Sequence, residues 1–213
     1  MLVAVLAAVV GCGHAAISSP RRAHLLPISF SHRSPLIQMR FQRFASWHPD
    51  CEAALNNQIA VETAASFQYL AMYAYFDRPG VALKQATTFF EKAQAEEIGH
   101  AKAFIKYQNT RGGKVTLQQI QVPEQNFTGD ASQSDLSKAM EKALELEIFV
   151  YDELLKMHKV AESCGDPAFT DLIEQYLGDQ IDAIRDMGER VAQLERLAPG
   201  GGHAVWHWDE ERD

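Results

Sequence analysis

Four stretches of this chain repeat apolar residues three and four positions apart, and that spacing selects amphipathic helices packed face to face. Strands would need an alternating pattern instead. The first stretch runs from about Asp50, an N-cap residue type, to Phe76, and "DRPG" breaks it. The second runs from about Val81 to Thr110 and stops at "RGG", where glycine ends a helix. The third runs from about Asp135, after "SQS", to Ala161. The fourth follows the turn "SCGDP" and ends near Leu197, before "APGGG".

Each stretch has one seam. They read Leu55, Ile59, Glu62, Ser66, Tyr69, Tyr73, Phe76; Leu83, Ala86, Phe90, Ala93, Glu97, His100, Phe104, Tyr107; Leu136, Met140, Ala143, Glu147, Val150, Leu154, Met157, Ala161; and Ile173, Leu177, Gln180, Ile184, Met187, Val191, Leu194. Each seam is interrupted near its middle by a polar residue: Glu62, the pair Glu97 and His100, Glu147, and Gln180. Stacked in a bundle, these fall in one layer. A buried carboxylate without a neutralising partner costs several kcal/mol, roughly, even after relaxation. No seam offers Lys or Arg at that level, so a bound metal is the natural neutraliser. Carboxylates with one imidazole and no thiolate suit iron, manganese or zinc, and shared carboxylates suit a dinuclear site.

Loop lengths set the topology. A tight turn makes the first and second helices antiparallel, and another does the same for the third and fourth. The link "GGKVTLQQIQVPEQNFTGDASQS" extends at roughly 3.3 Å per residue and so spans a helix of roughly 40 Å. It can cross the whole bundle and make the second and third helices parallel. An all-α four-helix bundle with one long crossover is the expected fold, and it is the ferritin-like connectivity.

At this point the chain resembles the ferritins over residues 47–210. "HPDCEAALNNQIAVETAASFQYLAMYAYFDRPGVALK", "FIKYQNTRGGKVTLQQIQVPE" and "LLKMHKVAE" are similar, segment by segment, to animal heavy-type chains. The resemblance implies a 24-subunit shell, alone or mixed with other ferritin chains, that oxidises Fe(II) with O2 and stores ferric mineral. It implies an intra-bundle dinuclear iron site with Glu62 and His100 as ligands of the first iron. Glu97 is then the bridge, Glu147 the carboxylate of the second iron, and Glu96 a mobile nearby ligand. Tyr69 hydrogen-bonds beside the site and Gln180 lies near the second iron. No ligand is missing, which disfavours the light-type, non-catalytic chain. Val150 follows Glu147 by three, so the second Glu-x-x-His pair of other di-iron bundles is absent. A small DNA-protecting ferritin, lacking the crossover, is the remaining rival within the fold.

His158, Asp171 and Glu174 resemble the residues around three-fold entry channels, although this chain is one residue shorter between Glu174 and Tyr176. Gly99 and Lys102 stand where the family often has mineral-nucleating acids. The tail "GGHAVWHWDEERD" replaces a leucine-rich segment; it is expected to form a short fifth helix, with His203 and His207 as candidates for a more polar four-fold pore.

Charge and the N-terminus bound the partners. Residues 1–49 contain five Arg and no Lys, Asp or Glu; the rest carries 15 Lys and Arg against 28 Asp and Glu. An acidic body argues against nucleic acid and for cations. Residues 1–45 form a targeting leader ahead of a 46–213 di-iron domain. The run Leu2 to Val10, followed by small residues to Ala15, has the form of a secretory signal and is too short for a membrane span. The Arg- and Ser-rich continuation suits a mitochondrial presequence, and a start at Met39 would leave a cytoplasmic protein. The secretory form is the working expectation. It makes the sequon at Asn126 a glycosylation site, and a bridge from Cys51 and Cys164, within or between subunits, feasible.

Overall fold

The computed structural model describes residues 47–130, 132–197 and 201–210, and all regular structure within them is helical. The helices are α1 (Pro49–Phe76), α2 (Lys84–Thr110), α3 (Asp135–Ser163), α4 (Pro167–Leu197) and α5 (Gly201–Glu210). α1 packs along α2, α3 along α4, and α1 also against α3. The expected four-helix bundle with a short fifth helix is what forms. The leader assigned to residues 1–45 lies outside the described residues.

The helix ends follow local chemistry. His48 caps α1 by accepting the Asp50 N–H at 3.2 Å, with Pro49 at the first turn. Ser134 caps α3 through the Ser137 N–H at 3.1 Å, and Asp166 caps α4 through the Phe169 N–H at 3.0 Å. Left-handed Gly112 (φ 79°) and Gly165 (φ 64°) turn the chain out of α2 and α3. α2 starts three residues later than its periodicity predicts. Ala82 sits at φ 56°, so Val81–Leu83 cannot be helical.

The crossover runs along α1 from one end to the other. Asn56 pairs with Lys114 O and Thr116 N, at 2.9 and 3.0 Å. Gln68 makes the same two-way pairing with the backbone of Glu124, at 3.0 Å each way. Tyr75, near the far end, donates to Asp135 at the start of α3, at 2.7 Å. Satisfying the loop's backbone from buried amides on α1 fixes its path. That path carries the chain from the start of α1 to its end, so α2 and α3 are parallel.

The core divides in two. Tyr69, Met72, Phe76, Phe90, Leu136 and Met140 anchor one apolar cluster, joined by Val205 and Trp208 of α5. Leu55, Ile59, Phe104, Val150, Leu154 and Ile173 anchor the other. Between them lies the polar layer. α5 is held by more than its apolar face: Asp209 accepts from the Ala86 N–H at 2.8 Å and the Gln85 N–H at 3.3 Å. It thereby caps α2, whose own N-cap residue, Leu83, supplies no side-chain acceptor. At the opposite end, Arg111 pairs with Asp166 at 2.5 Å and lies 4.3 Å from the Trp47 ring, tying the end of α2 to the start of α4.

Candidate metal centre

The layer between the two clusters is built from the middle turns of α1, α2, α3 and α4. Glu62, Glu97, Glu147 and Gln180 are each buried, at 1–5 % exposure, although their side chains favour water. His100 is half-buried, one turn beyond Glu97 on the same face of α2.

Glu62, Glu97 and His100 converge. Their donor atoms all lie within 4.8 Å of one another. Glu62 Oε2 is 3.9 Å and Glu97 Oε2 3.7 Å from His100 Nδ1. Both of those oxygens are buried without a hydrogen-bond partner. An orphaned buried acceptor costs about 1–3 kcal/mol, more when charged, so two pointed at one imidazole need an explanation. A cation between the three groups satisfies all of them.

Glu147 lines the same space but is held differently. Tyr69 donates its phenolic proton to Oε1, and the Gln180 amide donates to Oε2 and, at 3.1 Å, to the Glu147 carbonyl. Glu147 is therefore outside the three-donor cluster and already satisfied. Glu96 is exposed, on the rim of a cavity of about 490 Å³ that is also lined by Glu97, His100, Glu147 and Gln180. Asp179, Asp182 and Asp186 of α4 line it as well, so its mouth is acidic.

Burial pushes the Glu62 carboxyl well above the usual range, and the neighbouring Glu97 adds to the shift. Burial pushes Glu97 up to about 8, with Glu147 and Glu96 adding like charge. Glu147 is also raised by burial, against the downward pull of its bonds from Tyr69 and Gln180. Three acids sharing a water-poor layer favour their protonated forms more than free carboxyls do, and a bound cation would offset that bias.

One contributor is not evident from the seams. Gln58, one turn before Glu62, is 1 % exposed and donates to Glu62 Oε1 at 2.8 Å. It fixes which oxygen faces the donors, leaving Oε2 for the cluster. The signal was its i, i+4 spacing to Glu62.

The channel candidates lie elsewhere. His158 reaches Glu174 at 3.3 Å and Glu162 at 3.4 Å, while Asp171 is exposed and accepts from Gln175 at 3.3 Å. None of the three enters the buried layer. α4 runs as unbroken α-helix past the shortened segment. Gly99 and Lys102 are exposed. His203 and His207 lie on the exposed side of α5 with ring centres 4.7 Å apart. Cys51 and Cys164 are free thiols, so no bridge joins them within the chain.

A bundle with a carboxylate and histidine layer in its core belongs to a recognised class of metal-handling four-helix proteins. Residues 52–197 match the ferritin family, as a ferritin-like domain, and the chain belongs to that family. It is 45 % identical to Ferritin-3, chloroplastic, of Arabidopsis thaliana over 78 % of this chain and 63 % of the relative. It is 47 % identical to Ferritin-3, chloroplastic, of Glycine max over 76 % of this chain and 62 % of the relative. Ferritin, chloroplastic, of Malus baccata var. xiaojinensis is 43 % identical, over 83 % and 69 %. The chain thus spans a little under two thirds of the first two relatives' length. All three are plant proteins, so the likeness is to ferritins at large and not to animal chains in particular.

Proposed function

We propose that this chain is a ferroxidase-competent subunit of an iron-storing ferritin shell. The observation that carries the proposal is the trio of Glu62, Glu97 and His100, with two buried carboxylate oxygens aimed at one imidazole and bonded to nothing. Iron is the substrate. A first Fe(II) is taken by Glu62, Glu97 and His100. A second needs Glu147, which must exchange its bonds to Tyr69 and Gln180 for the metal, so the second ion binds more weakly than the first. Glu97 would be shared by the two ions. Oxygen-rich ligation stabilises the ferric product without locking it in place, as turnover requires. The acidic mouth at Glu96, Asp179, Asp182 and Asp186 draws cations inward.

The ligand set supports a heavy-type, catalytic role and disfavours a purely structural subunit. The crossover and α5 support the large shell over the small DNA-protecting kind. For location, all three relatives are named as chloroplastic ferritins. With the acid-free, Arg- and Ser-rich leader they support a plastid transit segment in place of the secretory signal expected from Leu2–Val10. Glycosylation at Asn126 loses its premise with the secretory route.

Aerobic addition of Fe(II) to the purified protein tests the proposal. Ferric absorbance should develop much faster than in buffer, inside particles whose light scattering fits about twenty-four chains. Oxidation at the buffer rate would contradict the catalytic role, and particles near half that mass would favour the small-shell rival.

A further inference from the structure

A second group of metal-ligating side chains lies at the other end of the bundle's chemistry, where α1 begins and α3 turns into α4. His48, Asp50 and Cys164 place a ring nitrogen, a carboxylate oxygen and a sulfur all within 4.8 Å of one another. Cys164 Sγ is 3.3 Å and Asp50 Oδ2 3.6 Å from His48 Nδ1. His48 and Cys164 are 116 residues apart in the chain, so the fold and not local sequence joins them. Packing of Trp47 against Phe169, with ring centres 4.9 Å apart, and the Arg111–Asp166 pair hold the two segments in place. His48 and Cys164 border a surface cavity of about 400 Å³ that Arg111 and Asp166 also line.

We propose that His48, Asp50 and Cys164 form a surface site for one borderline-soft divalent cation of the zinc type, chemically distinct from the oxygen-rich iron centre. The donor set carries the selectivity. A thiolate, an imidazole and a carboxylate are the usual tetrahedral zinc ligands, with the fourth position left to water. The iron centre offers no sulfur. Arg111 does not repel the ion strongly, because Asp166 neutralises it. On binding, the metal–sulfur bond replaces the S–H bond, and the thiol proton leaves to solvent. The ion at Nδ1 displaces the cap bond from Asp50 N–H, one of several bonds at that helix start. Cys51 is fully buried and lies outside the three-donor cluster, so it is not a ligand.

Cobalt(II) reports on this site directly, because only thiolate ligation gives a sulfur-to-cobalt charge-transfer absorption. The metal-free, reduced full-length protein is titrated with Co(II). A charge-transfer band should grow to saturation at about one ion per chain. Zn(II) should bleach it and Mg(II) should not. Cys164→Ser should abolish the band, His48→Ala should weaken binding about 10-fold or more, and Cys51→Ser should leave it intact. Fe(II) oxidation should be unchanged in all three variants, which separates this site from the iron centre. No band in the wild type, or one that survives Cys164→Ser, overturns the proposal. If Cys164→Ser fails to assemble, an undiminished band in His48→Ala overturns it equally.

Discussion

Replacing Glu97 and His100 together by Ala should lower the rate of aerobic Fe(II) oxidation on the order of 100-fold or more, since loss of outer-shell partners alone costs 10–100-fold at metal sites. The double variant removes one of the two orphaned oxygens and the imidazole they face. It leaves Glu62 held by Gln58 and Glu147 held by Tyr69 and Gln180, and removes two of the three clustered donors. The fold should survive. His100 is half-buried and Glu97 makes no hydrogen bond through Oε2, so truncation relieves a charge burden. Circular dichroism and light scattering like the wild type, with oxidation lost, is the expected combination. A double variant as fast as the wild type would place the chemistry elsewhere.

The same charge burden makes the metal-free protein sensitive to pH. Glu97 in the fold holds its proton up to about 8, against 4.5 for the free side chain. The folded state therefore binds more protons than the unfolded chain between those values, and stability falls as pH rises through that window. At about 1.4 kcal/mol per pKa unit, the loss attributable to Glu97 reaches roughly 3–5 kcal/mol once pH passes 8. Glu62 and Glu147 are shifted the same way and add to it. Glu97→Gln keeps the shape and removes the proton. Its denaturant midpoint should match the wild type near pH 4.5 and exceed it increasingly toward pH 8. Added metal should close the gap from the wild-type side, because a cation replaces the proton. A wild type that gains on Glu97→Gln as pH rises would contradict the direction of the shift.

Most of this architecture is written in the spacing of apolar residues. No residue of the four seams is exposed, and the polar interruptions fall in one layer, as the periodicity requires. Turn residues placed the breaks, and loop length alone set the parallel relation of α2 and α3. What the spacing could not supply is anything decided by a particular contact. Val81–Leu83 continues a helical pattern, yet the backbone at Ala82 turns left-handed and α2 begins at Lys84. Gln58 reads as an ordinary polar residue until its amide is seen on Glu62. Glu147 looks equivalent to Glu97 in its seam, but Tyr69 and Gln180 hold it apart from the three-donor cluster. His48 and Cys164 have no common pattern at all, since only the docking of α4's start against Trp47 joins them.

The α5 helix shows how an unpromising tail is stabilised. Its "GGHAVWHWDE" is glycine-led and short, and isolated helices of that length are marginal in water. Val205 and Trp208 bury an apolar face, and Asp209 supplies the cap that α2 lacks. The tail folds because it completes another helix.

Anaerobic Fe(II) binding, followed by equilibrium titration with the metal-free protein, tests the central claim most directly. Two successive steps of about one ion per chain are expected, the tighter at Glu62, Glu97 and His100 and the weaker requiring Glu147. Glu147→Ala should remove only the second step, and the Glu97→Ala, His100→Ala double variant both. A wild-type isotherm without a saturable step, or one unchanged in the double variant, would contradict an iron centre in this layer.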